Sequence, residues 1–172
     1  MLLIKAYTVY VRPLLEYCSQ VWSPHTKHDV DRIESVQRLF TKRLAGFEGL
    51  SYPERLCKAN INSLELRRLR ADLTLCYKIL HKHVCIDTNN LFILDNNNLT
   101  RGHRFKLRSS RPRLDTRLHF FGYRVISAWN GLSALCVEAP SIVSFKNILI
   151  AEDLSKICYT NTMHFFINNF RF

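Results

Sequence analysis

The chain has 172 residues, with 25 Lys and Arg against 14 Asp and Glu, and its formal net charge is +11 at pH 7. Its apolar content of 47% and aromatic content of 12% exclude a disordered basic tail, because such tails lack the Leu, Phe and Ile of a core. The positive charge favours an acidic partner, either nucleic acid or an anionic membrane surface.

The first two helical segments are predicted between residue 2 and residue 47. The helical candidate at residues 2–22 is interrupted near Arg12, because Pro13 lacks an amide N–H and crowds the preceding turn. Apolar residues then recur at steps of three and four from Val30 to Phe47, which predicts an amphipathic helix with an apolar stripe.

A short helix and a long helix are predicted next. Ser51 begins a capping box, and the short helix that follows it is expected to end near Ala59. Residues 62–80 repeat leucine at helical spacing behind a cap pair, Asn62 and Glu65. The first half of the chain is therefore predicted to be a helical bundle.

Residues 86–100 are predicted to be a connection that holds at most one turn of helix. They are rich in asparagine and contain neither Lys nor Arg. We therefore divide the chain into a helical bundle, an asparagine-rich connection, a basic segment with C-terminal helices, and an unassigned tail. Their respective ranges are 1–86, 87–100, 101–157 and 158–172.

A dense cluster of basic residues follows this connection and is the main candidate for a binding site. Phe105 and Leu107 alternate with basic residues, which is the period of a half-exposed strand, and the sequence SSRP at 109–112 is expected to form a turn. The segment is thus predicted to be extended or a hairpin. Its candidate nucleic-acid-binding residues are Arg101, Arg104, Lys106, Arg108, Arg111, Arg113 and Arg117.

Three further arginines are secondary candidates for phosphate contacts. Arg67, Arg68 and Arg70 lie close together in the predicted long helix. A solvated helix face explains them as well as phosphate binding does, so both interpretations stay open.

Two further helices are predicted after the basic segment. Helical spacing resumes from Thr116, and Ser141 is expected to cap a last helix that ends near Leu154. The prominent aromatic residues are interpreted as core residues and not as platforms for bases, because they stand at helical spacing among Val and Leu. These aromatic residues are Trp22, Phe120, Phe121 and Trp129.

Metal and cofactor chemistry has little support in the sequence. Cys76, His81, His83 and Cys85 lie within ten residues, but their spacing is not that of a standard zinc finger. His81 and His83 also fall where a helix should end, and a cation near the last carbonyl groups explains them. We expect no metal and no cofactor.

The cysteines and the apolar runs indicate where the chain acts. Six cysteines are scattered with no CxxC pair, which is typical of reduced thiols in an intracellular protein, in the nucleus or the cytoplasm. No apolar run reaches the roughly 18 residues that a membrane span needs, so a membrane is not expected as a partner.

The order of seven segments resembles that of LINE-type reverse transcriptases, the RNA-directed DNA polymerases of jockey-like and CR1-like non-LTR retrotransposons. The resemblance covers roughly residues 7–150 and falls C-terminal to the polymerase catalytic motifs of that family. The segments are YVRPLLEYCSQVWSP (10–24), IESVQRLFTKRLAG (33–46), LSYPERL (50–56), LELRRLRADLTLCYKIL (64–80), TRGHRFKLRSSRPRLD (100–115), FFGYRVISAWNGL (120–132) and PSIVSFKN (140–147).

The resemblance implies a non-catalytic, mainly α-helical fragment. The family's palm carries an adjacent aspartate pair that holds catalytic metal ions, and this chain contains no such pair. Its nearest acidic pair, Asp29 and Asp31, is explained by the dipole of the helix that begins there. The implied architecture is a thumb-like helical bundle, then the basic segment, then two further helices.

The function implied by the resemblance is to bind RNA, or an RNA/DNA duplex, through the sugar–phosphate backbone. The chain would act as a binding module, or would be the translated remnant of a degenerate element. Self-association is expected through the apolar surface that faces the palm in the family. The alternative is a helical protein-interaction module with no nucleic-acid role.

Overall fold

A computed structural model describes residues 2–95, 102–110, 112–154 and 158. These residues are mainly α-helical, as predicted from the sequence. They form two compact units, and the division between them falls at Arg68 and Leu69 and again after Glu152. The predicted boundary at 87–100 is not where the units divide, since the described part of that range belongs to the second unit.

The first unit contains five helices and the beginning of a sixth, α6. The helix bounds are α1 (Leu2–Ala6), α2 (Arg12–Glu16), α3 (Ser19–Trp22), α4 (Lys27–Lys42), α5 (Tyr52–Ala59) and α6 (Leu64–Leu80). The second unit contains the rest of α6 and the helices α7 (Asp115–Leu118), α8 (Phe121–Asn130), α9 (Ala134–Val137) and α10 (Ile142–Ala151). In the described part of the predicted connection, residues 87–95, there is one 3₁₀ turn, Thr88–Asn90.

The predicted interruption near Arg12 is a π-helical turn, Tyr7–Val11. Pro13 has no N–H to donate to the preceding turn, and the backbone widens so that the N–H of Arg12 bonds the carbonyl of Tyr7, five residues back. The helix then resumes as α2, with Pro13 near its start. The interruption is thus confirmed, and proline is its physical cause.

The apolar core of the first unit is built by α5 and the turns on either side of it. Leu44, Phe47, Leu56, Ala59 and Ile61 form one buried cluster. The connection from α4 to α5 can turn this tightly because its two glycines adopt positive φ angles of 78° and 73°. The capping box at the start of α5 is confirmed.

The buried face of α4 contains polar residues beside the predicted apolar stripe. The stripe is confirmed at Val30, Leu44 and Phe47, which are buried, and at Ile33 and Phe40, which are half-buried, whereas Val36 is exposed. Three polar residues of α4 are buried as well, because the helix packs through hydrogen bonds as well as through apolar contacts. They are Glu34, Gln37 and Thr41.

Glu34 is the centre of this polar packing and caps the N-terminus of α6. Its carboxylate accepts hydrogen bonds from the N–H groups of Leu64 (3.1 Å) and Glu65 (3.3 Å) and from the hydroxyl of Tyr52. Gln37 extends the network, because its amide donates to the Tyr52 hydroxyl at 3.0 Å and accepts from Tyr7 at 3.2 Å. The first amides of α6 are therefore satisfied by a side chain 30 residues away in sequence.

Burial changes the ionisation of this network. Desolvation raises the pKa of Glu34 above its ordinary value, although the hydroxyl of Tyr52, the amide of Leu64 and the charge of Arg68 oppose the shift. Burial also raises the pKa of Tyr7 to about 12. The tyrosine hydroxyls consequently stay protonated and remain donors at neutral pH.

The core of the second unit is aromatic. Tyr77 stacks on Phe145 with a centroid separation of 4.3 Å, and Phe145 lies 6.2 Å from Trp129. The hydroxyl of Tyr77 donates to the carbonyl of Ala139 at 2.6 Å, which ties α6 to the connection before α10. Among the described helices, none has both the length and the apolar character needed to cross a bilayer.

Candidate nucleic-acid interface

The basic segment begins with a turn at Arg104 and Phe105 and continues into a short extended stretch around Leu107. His103 and Leu107 are buried and Phe105 is half-buried, whereas Arg104 and Arg108 are exposed. The predicted alternation is confirmed for Leu107 and Arg108, where successive side chains of the extended backbone point to opposite sides. The predicted strand is wrong at Arg104 and Phe105, which form a turn.

Helix α8 holds this segment from one side. The indole N–H of Trp129 donates to the carbonyl of Phe105 at 2.8 Å, and His103 Nε2 bonds the carbonyl of Trp129 at 3.1 Å. The side-chain amide of Asn130 accepts from the N–H of Leu107 at 2.9 Å and donates to its carbonyl at 2.8 Å. Asn130 thus bonds Leu107 as a neighbouring strand would.

The residues before the segment hold it from the other side. Leu94 and Leu107 form an antiparallel bridge. Two backbone hydrogen bonds flank it: the N–H of Asp95 donates to the carbonyl of Lys106, and the N–H of Arg108 donates to the carbonyl of Ile93, both at 2.8 Å. We predicted a turn at 109–112, which would have placed a hairpin partner after the segment. The observed partner precedes it, because Leu107 is already bonded by Asn130 on its second edge.

Gly102 allows the start of the segment to approach Lys106. It has a φ of +130°, and a Cβ atom added there would lie 2.5 Å from Lys106 Cε. The aliphatic stem of Lys106 therefore crosses the glycine backbone, at a position where a larger residue would be strained.

The basic side chains of the segment have few acidic neighbours. Arg104 lies 3.3 Å from Glu138 in an exposed ion pair, and its guanidinium also lies 5.0 Å from the ring centroid of Phe105. Arg108 and Arg113 are exposed. Arg117 is also exposed, and its guanidinium lies 5.7 Å from the centroid of Tyr123. The predicted site residues Arg101 and Arg111 lie outside the described residues.

The secondary candidates on α6 have structural contacts instead. Arg67 forms a two-point hydrogen bond with Glu16, one arm of which measures 2.9 Å. Arg68 is only 3% exposed, and Arg70 is half-buried and donates to the carbonyl of Ile150 at 3.3 Å. The burial of Arg68 contradicts both interpretations for that residue, so we remove it from the phosphate-binding set. Arg67 and Arg70 are half-buried, and phosphate contact stays a prediction for these two residues.

The aromatic residues divide between the core and the surface. Trp129 is fully buried and Phe121 packs edge-on against Phe92 at 5.8 Å, as expected for core residues. Trp22 and Phe120 are 42% and 61% exposed, so their assignment to the core was wrong. Helical spacing failed at Phe120 because this residue has an extended backbone and precedes the first turn of α8.

His81, at the end of α6, does not act as a helix-terminal cation. His81 Nε2 bonds the carbonyl of Val137 at 3.0 Å, and the ring stacks on Tyr77 at 4.1 Å. Burial lowers the pKa of His81, so the neutral form dominates at pH 7. Within the described ranges, no group of three metal-ligating side chains comes together.

Sequence reasoning missed Asn130 and Gly102 as residues that shape this surface. Asn130 is the last residue of α8, where its side chain can reach past the helix end toward another segment. The available signal was the Trp129–Asn130 pair just before Gly131, because a large aromatic residue and an amide at a helix end can both bond a neighbouring backbone.

Comparison with known proteins gives one partial likeness. No family of proteins and no solved structure matches the chain. A protein of Caenorhabditis elegans that is named only as uncharacterized is 30% identical over 82 residues, which is 46% of this chain. The chain spans about two-fifths (41%) of that relative's length. This likeness assigns no activity, so the function is inferred from the site.

Proposed function

We propose that this chain is a non-catalytic, C-terminal part of a LINE-type reverse transcriptase that binds RNA or an RNA/DNA duplex through the phosphate backbone. The order of the seven sequence segments supports the family. The absence of an adjacent aspartate pair from the sequence supports a non-catalytic role, because the resemblance places the metal-binding aspartates on the palm.

One observation carries the binding proposal. Residues 105–108 are held by hydrogen bonds from α8 and from residues 93–95, and they present Arg108, together with Arg104 of the preceding turn, to the solvent. Lys106 is half-buried between them. Exposed cations on a fixed backbone suit contacts with phosphates and carry no information about base sequence.

Replacing Arg104, Lys106 and Arg108 together with alanine is the direct test. Four or five neutralised phosphates give a slope of log K against log salt of roughly −3 to −4, and the triple change should flatten it by about two to three. The loss should be similar for RNAs of unrelated sequence. Fluorescence anisotropy with a labelled RNA/DNA duplex at several salt concentrations measures it.

The matched control is the triple alanine variant of Arg32, Lys42 and Arg43. Like the test variant, it removes two arginines and one lysine, but from exposed positions of the first unit. Equal losses from the two triples would mean that binding depends only on the overall charge of +11. A loss limited to one RNA sequence would mean that bases are read.

Glu138 should compete with phosphate for Arg104. Replacing Glu138 with glutamine removes the partner of the exposed ion pair and keeps the size of the side chain. Exposed pairs contribute about 0.2–1 kcal/mol, so duplex affinity should rise by no more than about fivefold at low salt. Unchanged or weaker binding would show that Arg104 does not contact the ligand.

A second candidate function, protein interaction, has its own supporting observation. Residues 2–22 expose large apolar side chains, whereas most apolar residues of α5 and α6 are buried or half-buried. Such a surface favours association with a protein or with a second copy of the chain. The exposed residues are Leu2, Leu3, Val9, Tyr10, Leu14, Tyr17, Val21 and Trp22.

We expect the purified chain to self-associate at tens of micromolar through this apolar surface. Changing Leu14 and Val21 to glutamate should reduce the mass measured by light scattering. The same change at Val143 and Ile150, which are also exposed but lie on α10, should leave it high. A monodisperse monomer of the unmodified chain would contradict the expectation.

A further inference from the structure

Four residues at the end of the basic segment and the start of α8 are linked in a row by backbone hydrogen bonds, each of which spans three residues. The N–H groups of Arg117, Phe120 and Tyr123 donate to the carbonyls three residues earlier, at 3.1, 3.2 and 2.9 Å. Leu114 begins the row. Arg117 and Tyr123 lie on one side of it, since the guanidinium of Arg117 lies over the Tyr123 ring.

Phe120 is the exposed aromatic member of this row. Its N–H donates to Arg117, and its carbonyl accepts from Tyr123 and from Arg124 at 3.0 Å, so the backbone is fixed on both sides. The next residue, Phe121, packs against Phe92, whereas the Phe120 side chain stays in solvent. The ring is therefore presented to solvent from an ordered position.

The charged residues in the sequence around Phe120, from 113 to 124, are mostly positive. Arg113 and Arg117 are exposed, and Arg124 is engaged by Asp72 at 2.9 and 3.1 Å. The one acid in this stretch is Asp115, whose exposed carboxylate lies 3.8 Å from His119. An exposed aromatic ring among cations is the combination that binds single-stranded nucleic acid, since bases stack while phosphates are neutralised.

We propose that Phe120 is a stacking platform for an unpaired base of a single-stranded nucleic acid. Arg113 and Arg117 would contact the phosphates beside that base. The inference rests on the proposed function and adds a ligand class to it, because a base within a duplex already has both faces stacked and cannot meet the ring. The basic segment alone would not distinguish a single strand from a duplex, because both carry phosphates.

The test compares a labelled 12-nucleotide oligouridine with a 12-base-pair RNA/DNA duplex. Replacing Phe120 with leucine should weaken oligouridine binding by about tenfold, since stacking of one base contributes 1–3 kcal/mol. The salt slope should not change, because no cation is removed. Duplex binding should also stay the same. Leu135, an exposed apolar residue of α9, supplies the control change to alanine.

A tryptophan at position 120 keeps the inference testable if the leucine variant folds poorly. It should retain oligouridine affinity, and its emission should be quenched when a base stacks on it. Retained binding in the leucine variant, or an equal loss for duplex and oligouridine, would overturn the role of Phe120 alone. Failure of the unmodified chain to bind either ligand would overturn the proposed function and this inference together.

Discussion

Replacing Glu34 with alanine should lower the free energy of unfolding of the first unit by about 3 kcal/mol or more. The carboxylate is fully buried and accepts from two backbone amides of α6 and from Tyr52. Each buried donor left without an acceptor costs about 1–3 kcal/mol. The change to glutamine should cost much less, because its carbonyl oxygen still accepts from the amides.

The glutamine variant should also remove part of the pH dependence of stability. Burial raises the pKa of Glu34 in the folded state, so protonation favours folding. The stabilising contribution is complete below the ordinary value of 4.5 and is lost as the pH rises through the raised pKa. The stability of the glutamine variant relative to the unmodified chain should therefore increase as the pH rises above 4.5. The contributions of the other carboxyl groups to the pH dependence are the same in both proteins and cancel in this difference.

Urea unfolding at several pH values, together with hydrogen exchange of the Leu64 and Glu65 amides, measures both effects. Exchange at these two amides should accelerate in the alanine variant more than in the glutamine variant. Equal destabilisation by the two changes would show that the carboxyl group does not act as the cap of α6.

Replacing Trp129 with alanine should destabilise the second unit by about 3–5 kcal/mol. The side chain has no solvent exposure and packs beside Phe145 and His103. Its loss leaves a large cavity, and the carbonyl of Phe105 loses its indole donor. The basic segment should therefore loosen together with the core.

The phenylalanine variant separates these two roles of Trp129. It retains an aromatic ring in the core but cannot donate to Phe105, so we expect a loss of about 1–2 kcal/mol. Trp22 is the second tryptophan of the chain. With Trp22 changed to phenylalanine, Trp129 is the remaining tryptophan, so its emission during chemical unfolding reports the stability of the unmodified second unit. The two Trp129 variants lack this signal, and their unfolding is followed by near-ultraviolet circular dichroism. An alanine variant as stable as the phenylalanine variant would contradict the packing role.

Local signals in the sequence predicted the helix ends well. The capping box of Ser51 and Glu54 gives α5, which ends at Ala59 as expected. Ser141 accepts from the N–H of Ser144 at 3.1 Å and caps α10. Caps succeed because donor and acceptor lie within one turn of each other, so their spacing is visible in the sequence.

Contacts between distant residues could not be predicted in this way. The cap of α6 was expected from Asn62, but Glu34 of α4 supplies the carboxylate. The same contact turns a polar face of α4 inward, which helical periodicity alone would place in solvent. Arg68 is buried close enough to Glu34 for its positive charge to lower the pKa of that carboxyl group, a contact that the spacing along α6 does not show.

The candidate site was predicted in part. The alternation of apolar and basic residues correctly gave the buried Leu107 and the exposed Arg108, but not the turn at Arg104 and Phe105. The hydrogen bonds of Asn130 that hold Leu107 join residues 23 positions apart and left no periodic signal. Phe120 was misassigned because it stands at helical spacing from the residues of α8 in the sequence, but it precedes the helix and its backbone is extended, so its side chain does not point into the core.

The way Asn130 holds Leu107 has an evolutionary consequence. These bonds use the backbone of Leu107 and an amide of α8, and none of them involves an outward-facing side chain of the segment. Mutations at Arg104 or Arg108 can therefore alter what the surface attracts without changing the bonds that hold the backbone. Selection on ligand preference and selection on folding act on different residues, so the surface can acquire a new partner in small steps.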